Sequence, residues 1–406
     1  MRLVHLSDLH LGYRQFQRQT PAGINQREAD IAAVFRGVID RVIDIAPDVV
    51  VLAGDIFHNV RPPNPAILHA FGQFSRLTQA LPDAIVVMVA GNHDSPRAVE
   101  TGCILQLFAP LGVHVVEGAA QRLAFPERDL SILAVPDTGI PQHVALDPEP
   151  TARHNVLVLH GEVAGILPES AAHAERTAVA ITPEELGAAR WSYVALGHYH
   201  VFRQLAPNAY YSGSLDYTSA NPWGELAEER AAKLPGKGFL EYDLATSKRT
   251  FHPIKPARAL VDLPRIEARG MAAADIDAAI KANVTRVPGG VEGKIVRQVV
   301  RDVPRHIARE IDHGLLRELK KRALHFHLDT RRPELLRAGV GQGAAGRRAS
   351  LMDMVRDKLR GRPLASDIDR EQLVERGLAY LAEAEQREGA MAIGAAAAAA
   401  RGEGDA

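Results

Sequence analysis

One cysteine in 406 residues, Cys103, leaves no internal disulfide to form and fits a reducing compartment. Aromatic residues make up only 5% of the chain, so base stacking is not the recognition mode its composition advertises. Neither sign of charge is in excess. The 48 Lys and Arg against 49 Asp and Glu give a net charge of -1, so any attraction for a polyanion must be local. No uninterrupted apolar run approaches the roughly 20 residues that span a bilayer. The N-terminus carries one Arg and a brief apolar run broken at Ser7-Asp8, which does not read as a signal peptide. No repeat of solenoid period appears. What remains is ordinary globular composition, 46% hydrophobic and 24% charged, in a chain long enough for two or three domains. The expectation is a soluble, cytoplasmic protein with no membrane partner.

What is present is one pattern repeated over the first 220 or so residues. Short apolar runs end abruptly in Gly, Asp, Asn or His: RLVHLSDLH, PDVVVLAGD, AIVVMVAGNHD, NVLVLHGE and WSYVALGHYH. Runs rich in Val, Ile and Leu read as strands buried on both faces. Helical patterns separate the first three, ADIAAVFRGVIDRVIDIA and PAILHAFGQFSRLTQAL, the second opening on Pro65. The order strand, helix, strand, helix, strand predicts an α/β protein, a layered sheet sandwich flanked by helices. A small α+β accessory (capping) domain and a C-terminal helical pair follow. The expected boundaries are 1–250 for the catalytic domain, 251–335 for the accessory domain and 336–349 for a Gly- and Ala-rich linker. A helical segment at 350–388 and a low-complexity tail at 389–406 complete the chain. Residues 163–187 read as an insertion of loop and helix near the site.

The polar residues collect at the strand ends: Asp8 and His10, Asp55, Asn92 with His93 and Asp94, His160, then His198 and His200. On an extended strand Asp8 and His10 would face the same way. Any single D-x-H or H-x-H is more often an ordinary loop start than a ligand pair. Five such endings in order are different. They supply hard oxygen and imidazole donors without a thiol, about the number that two divalent metals roughly 3.5–4 Å apart require, with one carboxylate between them. Gly54, Gly91 and Gly197 each precede a candidate ligand by one residue, where a sharp turn without a Cβ clash would aim the next side chain.

The series D-x-H, GD, GNHD, H and GHxH resembles the calcineurin-like metallophosphoesterase superfamily. Within it, GDIFH and GNHDSPR resemble the SbcD group, the nuclease subunits of SbcCD-type DNA repair complexes. YYSGSLDYTS and KGFLEYDL are similar to later segments of that group. The resemblance implies that Asp8, His10, Asp55 and His200 hold one metal. Asp55, Asn92, His160 and His198 would hold the other, with Asp55 as bridge. It implies that His93 acts on the leaving oxygen, that Asp94 orients its other ring nitrogen, and that His58 faces the scissile phosphate. The relatives more often continue GSLE, so the resemblance assigns Asp216 no firm role. Two divalent ions are implied, with Mn²⁺ best suited to the donors and Fe or Zn compatible.

The expected function is then metal-dependent DNA cleavage: exonuclease on double-stranded ends, endonuclease on single strands and hairpins. A small-molecule phosphodiesterase acting on cyclic nucleotides is the alternative on the same scaffold, although it needs neither accessory domain nor C-terminal helices. A serine/threonine phosphatase would show GDxxDRG and GNHE where this chain has GDIFHNV and GNHD. Basic residues outnumber acidic ones about two to one between 294 and 348, which reads either as a phosphate-backbone grip or as a solvated face. Arg14, Arg18, Arg297, Arg331 and Arg332 are the candidate DNA contacts. His5 reads as a core residue, and His325 with His327 as a structural or surface pair. In the C-terminal segment, Leu351, Met354, Val355 and Leu359, then Leu373, Val374, Leu378 and Leu381, form two apolar stripes. By resemblance these dock an SbcC-like coiled-coil ATPase; packing on the parent domain is the plain alternative. A homodimer is left open.

Overall fold

RLVHL opens the chain as a strand buried on both faces: every residue of β1 (Arg2–Leu6) from Leu3 onward is buried, the His5 imidazole included. The computed structural model describes residues 1–96, 102–142, 145–165, 180–333, 351–361 and 369–382. After β1 come α1 (Gln26–Ile45), β2 (Val49–Ala53), α2 (Asn64–Ala80), β3 (Ile85–Val89) and β4 (His114–Val116). Then follow β5 (Gln121–Phe125), β6 (Leu130–Val135), β7 (His154–His160), β8 (Glu162–Val163) and β9 (Ala180–Ile181). A short α3 (Pro183–Leu186) precedes β10 (Tyr193–Gly197), β11 (Arg203–Ala206) and β12 (Ala209–Tyr211). The helix α4 (Pro222–Ala231) leads into β13 (Gly238–Asp243) and β14 (Lys248–Pro253).

Apart from β8 and β9, which pair with each other, these strands form two six-stranded sheets, ordered β14-β13-β1-β2-β3-β4 and β11-β12-β10-β7-β6-β5. One apolar layer joins them face to face, with Val49, Val51, Val87 and Leu240 from the first sheet meeting Ile132, Val156, Val158 and Ala195 from the second. The other face of the first sheet carries α1 and α2, whose Phe35, Ile39 and Phe74 are fully buried beneath it. Asn25 caps α1 by accepting the backbone N–H groups of Arg27 and Glu28. The layered sandwich predicted from the strand pattern is therefore the fold.

β14 carries the first sheet to Pro253, three residues past the expected end at 250. A third sheet of parallel strands begins with β15 (Leu260–Asp262) and β16 (Ile266–Glu267). After α5 (Ala273–Thr285) come its central strand β17 (Ile295–Arg301), then α6 (Arg305–Glu310), α7 (His313–Arg322) and β18 (His325–Thr330). Residues 1–333 form one compact unit and 334–406 a second. In the second, α8 (Leu351–Arg360) ends at Gly361, whose N–H reaches the Asp357 carbonyl at 3.0 Å, and residues 370–382 are helical. Asp369 Oδ1 accepts the N–H groups of Glu371 (2.8 Å) and Gln372 (3.3 Å), capping the N-terminus of the second helix. The expected linker, the tail and most of 163–187 lie outside the described residues. Among the described residues no helix is long and apolar enough to cross a membrane.

Candidate metal centre

Strand register gathers the candidate ligands. Leu6 pairs with Leu52 and Ala53 with Val89, so the chain leaves β1, β2 and β3 at one edge of the first sheet. In the second sheet His160 pairs with Gly197, which sets His160 level with the turn that carries His198. Past their ends the β1 and β2 loops run on together: Asp8 N–H donates to the Gly54 carbonyl, His10 to Asp55 and Leu11 to Ile56, all near 3.0 Å.

The expectation that Asp8 and His10 share a face because the chain is extended does not hold. Both are left-handed, with φ of 53° and 48°, and so are Asp55 (52°) and His198 (101°). Non-glycine residues avoid that region, and each costs on the order of 1–3 kcal/mol unless its surroundings enforce it. The glycines also serve differently from the expectation. Only Gly54 needs a positive φ; Gly91 and Gly197 need closeness, because a Cβ there would lie 2.1 Å from Asp55 Oδ1 and 1.7 Å from the Ala53 carbonyl oxygen.

All seven candidate ligands converge. On one side His10 Nε2 lies 2.9 Å from His200 Nε2 and 3.8 Å from Asp55 Oδ2, and His200 Nε2 lies 3.9 Å from Asp8 Oδ1. On the other, His160 Nε2 lies 3.4 Å from Asp55 Oδ2 and 3.0 Å from Asn92 Oδ1, which is 3.3 Å from His198 Nδ1. Donors around one cation at about 2.1 Å sit roughly 3 Å or more apart, as these do. Asp55 Oδ1 accepts the His93 N–H at 2.9 Å, whereas Oδ2, between the two groups, is buried without a hydrogen-bond partner. An orphaned carboxylate oxygen ringed by imidazole nitrogens fits a pair of divalent ions, and the absence of thiolate suits a hard or borderline one. His160 Nδ1–H donates to the Ala53 carbonyl at 2.8 Å, which leaves Nε2 as the donor atom.

Burial alone would raise the Asp55 carboxyl, but the charges of His160 and then His10 hold it well below the usual carboxylate range. Burial opposes the charge on His160 as well, and Asp55 overcomes it, lifting that imidazole to about 10. Burial and the neighbouring His200 push His10 well down. The pocket is built for positive charge near Asp55.

His93 and His58 flank this group, their rings stacked 5.1 Å apart, and His58 Nδ1 is 3.2 Å from His10 Nδ1. What holds the His93 ring is the His58 carbonyl, 2.7 Å from Nδ1. Asp94 is not its orienter. Its buried carboxylate accepts the N–H groups of Ile56 (3.0 Å), Phe57 (2.9 Å) and Gly91 (3.0 Å), clamping the β2 and β3 loops together. Burial, then the charge of Asp55, raises Asp94 to about 7 despite those three donors. Asp216 is likewise structural, buried and paired with Arg27 at 3.0 Å.

The arginines depart furthest from expectation. Arg297 is committed to Asp262 through two contacts of 2.9 and 2.7 Å and lies over the Trp223 ring. Arg14 pairs with Glu28 at 2.6 Å and Arg331 with Asp329 at 2.8 Å. Arg18 donates to the carbonyls of Lys320, Lys321 and Ala323 at the end of α7. Arg332 is exposed and has no ion pair among the described residues. Arg297 and Arg18 hold the third sheet to the core. The Arg331–Asp329 pair is partly exposed and of a kind worth at most about 1 kcal/mol, whereas Arg14, itself half-exposed, pairs with a buried Glu28 carboxylate that its loss would strand.

Sequence reading missed Glu225 and Lys237, which lie buried behind His200. Glu225 and Glu229 are spaced i, i+4 on α4, like any solvated helix face. The one signal was Lys237 itself, a lysine one residue ahead of the buried strand GFLEYD.

Residues 1–202 match the calcineurin-like phosphoesterase family, and the chain belongs to it. Several curated relatives carry the name DNA double-strand break repair protein Mre11, the group in which SbcD-like nucleases fall. That of Methanocaldococcus jannaschii is 40% identical over 97 residues, 24% of this chain and 24% of that protein. That of Methanococcus maripaludis is 26% identical over 254 residues, 60% of this chain and 63% of that protein. That of Sulfurisphaera tokodaii is 29% identical over 216 residues, 50% of this chain and 49% of that protein. The matched stretches thus span from about a quarter to just under two thirds of these relatives.

Proposed function

We propose that the chain is the nuclease subunit of an SbcD-like DNA repair complex, using two divalent ions, Mn²⁺ first, to hydrolyse phosphodiesters. Asp55 carries the proposal, because its orphaned Oδ2 stands between two sets of donors. Asp8, His10 and His200 would complete one site with it; Asn92, His160 and His198 would complete the other. Divalent ions held by these residues would supply the charge that neutralises a phosphodiester and makes water a nucleophile near neutral pH. His93 does the protein's own share. With Nδ1–H tied to the His58 carbonyl, the ring in its imidazolium form holds a second proton on Nε2, which the leaving sugar oxygen takes as the ring becomes neutral. His58, stacked on His93, faces the phosphate.

DNA is the favoured substrate, by exonuclease action at double-stranded ends and endonuclease action on single strands or hairpins. The third sheet supports this over cyclic nucleotides, since it is seated beside the site through Arg18 and Phe16 of the β1 loop, and a small substrate needs no such flank. The test is the purified protein titrated with Mn²⁺ on linear duplex, single-stranded DNA and a cyclic nucleotide. Two ions per chain and metal-dependent DNA cleavage are expected; turnover of the cyclic nucleotide alone overturns the reading.

The helices at 351–360 and 370–382 would dock an SbcC-like ATPase, in keeping with a cytoplasmic repair complex. Truncation after residue 345 should then abolish co-purification with that ATPase while sparing hydrolysis of a small phosphodiester. A homodimer is supported by exposed Leu68, Phe71 and Leu107, the last two lining a cleft of about 920 Å³.

A further inference from the structure

Behind His200 lies a charged cluster that none of the roles above uses. Glu225 and Glu229, one turn apart on α4, are both buried. Between them sits the ammonium of Lys237, itself 2% exposed. Its Nζ donates to the His200 carbonyl at 2.8 Å and to Ser214 Oγ at 3.0 Å. It also pairs with Glu225 and, at 3.4 Å, with Glu229. The Tyr217 hydroxyl donates to Glu229 at 2.6 Å. Apolar side chains would fill such a space at no loss of stability, so three charges retained there call for a role. Glu225 Oε1 supplies the clue. It is buried without a hydrogen-bond partner, and it faces His200 Nδ1, also buried and unpartnered, at 3.6 Å.

We propose that Glu225 is a positioning residue for His200, braced by Lys237. The proposal rests on the reading of His200 as a metal ligand. Glu225 accepts the Nδ1 proton, which fixes the tautomer with Nε2 toward the centre and the ring in one orientation. The Ala53 carbonyl does the same for His160, and the His58 carbonyl holds His93. Those acceptors are neutral, however, and Glu225 is a carboxylate. A charged acceptor makes its imidazole the more basic donor, so the two metal sites are unequal by construction. Lys237 grips Glu225 and the His200 carbonyl together, holding ring and acceptor in a single frame. The other side of α4 rests on the third sheet, Leu226 packing with Leu260, Ile295 and Leu324.

Calorimetric Mn²⁺ titration of the chelator-stripped full chain tests this. Two binding events are expected of the wild type. Glu225→Gln should weaken one of them by roughly 10–100-fold and leave the other unchanged, a split that general destabilisation does not produce. In the Zn²⁺-loaded wild type with ¹⁵N-labelled histidine, His200 should bind through Nε2 and keep a proton on Nδ1. Unchanged affinities in the variant, or His200 bound through Nδ1, overturn the proposal. Glu225→Gln leaves Lys237 paired with Glu229; if it still fails to fold, Glu225→Asp, which keeps the charge but draws the carboxylate back from Nδ1, should still show a weakened event. A wild-type chain that binds no metal overturns the reading of the centre itself, and this role with it.

Discussion

The chain contains two H-x-H pairs spaced by an aromatic residue, and the fold uses them in opposite ways. His198-Tyr199-His200 follows the last residue of β10. There His198 leaves the strand at φ 101°, and both imidazoles meet donors from other strands: Asn92, Asp8 and His10. His325-Phe326-His327 lies inside β18, where the period of two puts both rings on one face and Phe326 in the core. Its rings stack 6.1 Å apart, and Phe16 stacks on His325 at 4.0 Å. Among the described residues, no group of three metal-type donors includes either ring. The same three-letter pattern joins a cluster of metal-type donors only where the strand has stopped and other strand ends converge.

Asp55→Asn should break the contrast most severely. It removes charge from the one oxygen both donor sets share, so metal analysis should find both ions lost and phosphodiester hydrolysis at the level of a buffer blank. Retention of two tightly bound ions would mean that Asp55 does not bridge, and that the strand-end cluster is two separate sites or none.

His93→Ala comes next. His93 lies among the strand-end histidines but completes neither donor set, so Mn²⁺ stoichiometry and DNA affinity should be retained. Hydrolysis should fall by roughly 10²–10⁴, the range of a lost general acid. Loss of metal instead would make His93 a ligand and widen the centre to include it.

The converging donor set was legible because each member closes a buried strand, and strand ends are local features of sequence. The left-handed backbone at Asp8, His10, Asp55 and His198 was not legible, since nothing in SDLH distinguishes an extended turn from a left-handed one. Long-range partners were hidden for a plainer reason. Arg297 reads as a phosphate contact until Asp262, 35 residues away, is found across the sheet. Asp94 reads as an orienter of its neighbour until two of the three N–H groups it accepts turn out to lie on the β2 loop and the third on its own. Glu225 lies 25 positions from the histidine it faces, on a helix whose spacing suggests a solvated face. Where chemistry depends on which residues end a strand, sequence suffices; where it depends on what they meet, topology decides.

His5 extends the comparison to a histidine buried within a strand of the sandwich. Its Nδ1 lies 3.0 Å from the Tyr193 hydroxyl, and burial pushes it down to about 3 from an ordinary 6.5. Between those values the unfolded chain binds a proton that the folded chain refuses. Stability therefore falls as pH drops from 6.5 toward 3, by up to about 1.4 kcal/mol per unit. In chelator-treated protein, His5→Gln should lack this component, so the stability gap between wild type and variant should narrow on acidification. A gap independent of pH would show that His5 titrates normally.

The smallest effect sharpens the contrast from the other side. His325 is half-buried under Phe16, and burial, then the neighbouring His327 and Lys320, depress its pKa, so at neutral pH the stack is between uncharged rings. An aromatic pair adds roughly 0.5–1.5 kcal/mol beyond its buried area. His325→Ala should therefore destabilise the 1–333 unit by about 1 kcal/mol and lower its melting temperature by roughly 2 °C. His327 is exposed and, among the described residues, stacks only on His325, so His327→Ala should stay within about 0.5 kcal/mol of wild type. Neither change touches a donor, so Mn²⁺ stoichiometry and turnover of a small phosphodiester should be unchanged in both, where His198→Ala and His200→Ala each remove a ligand. Melting curves and metal analysis on the four variants separate the pairs. If His325→Ala or His327→Ala lost an ion or its hydrolytic rate, the second H-x-H would belong to the centre, and strand ending would not be what distinguishes the two.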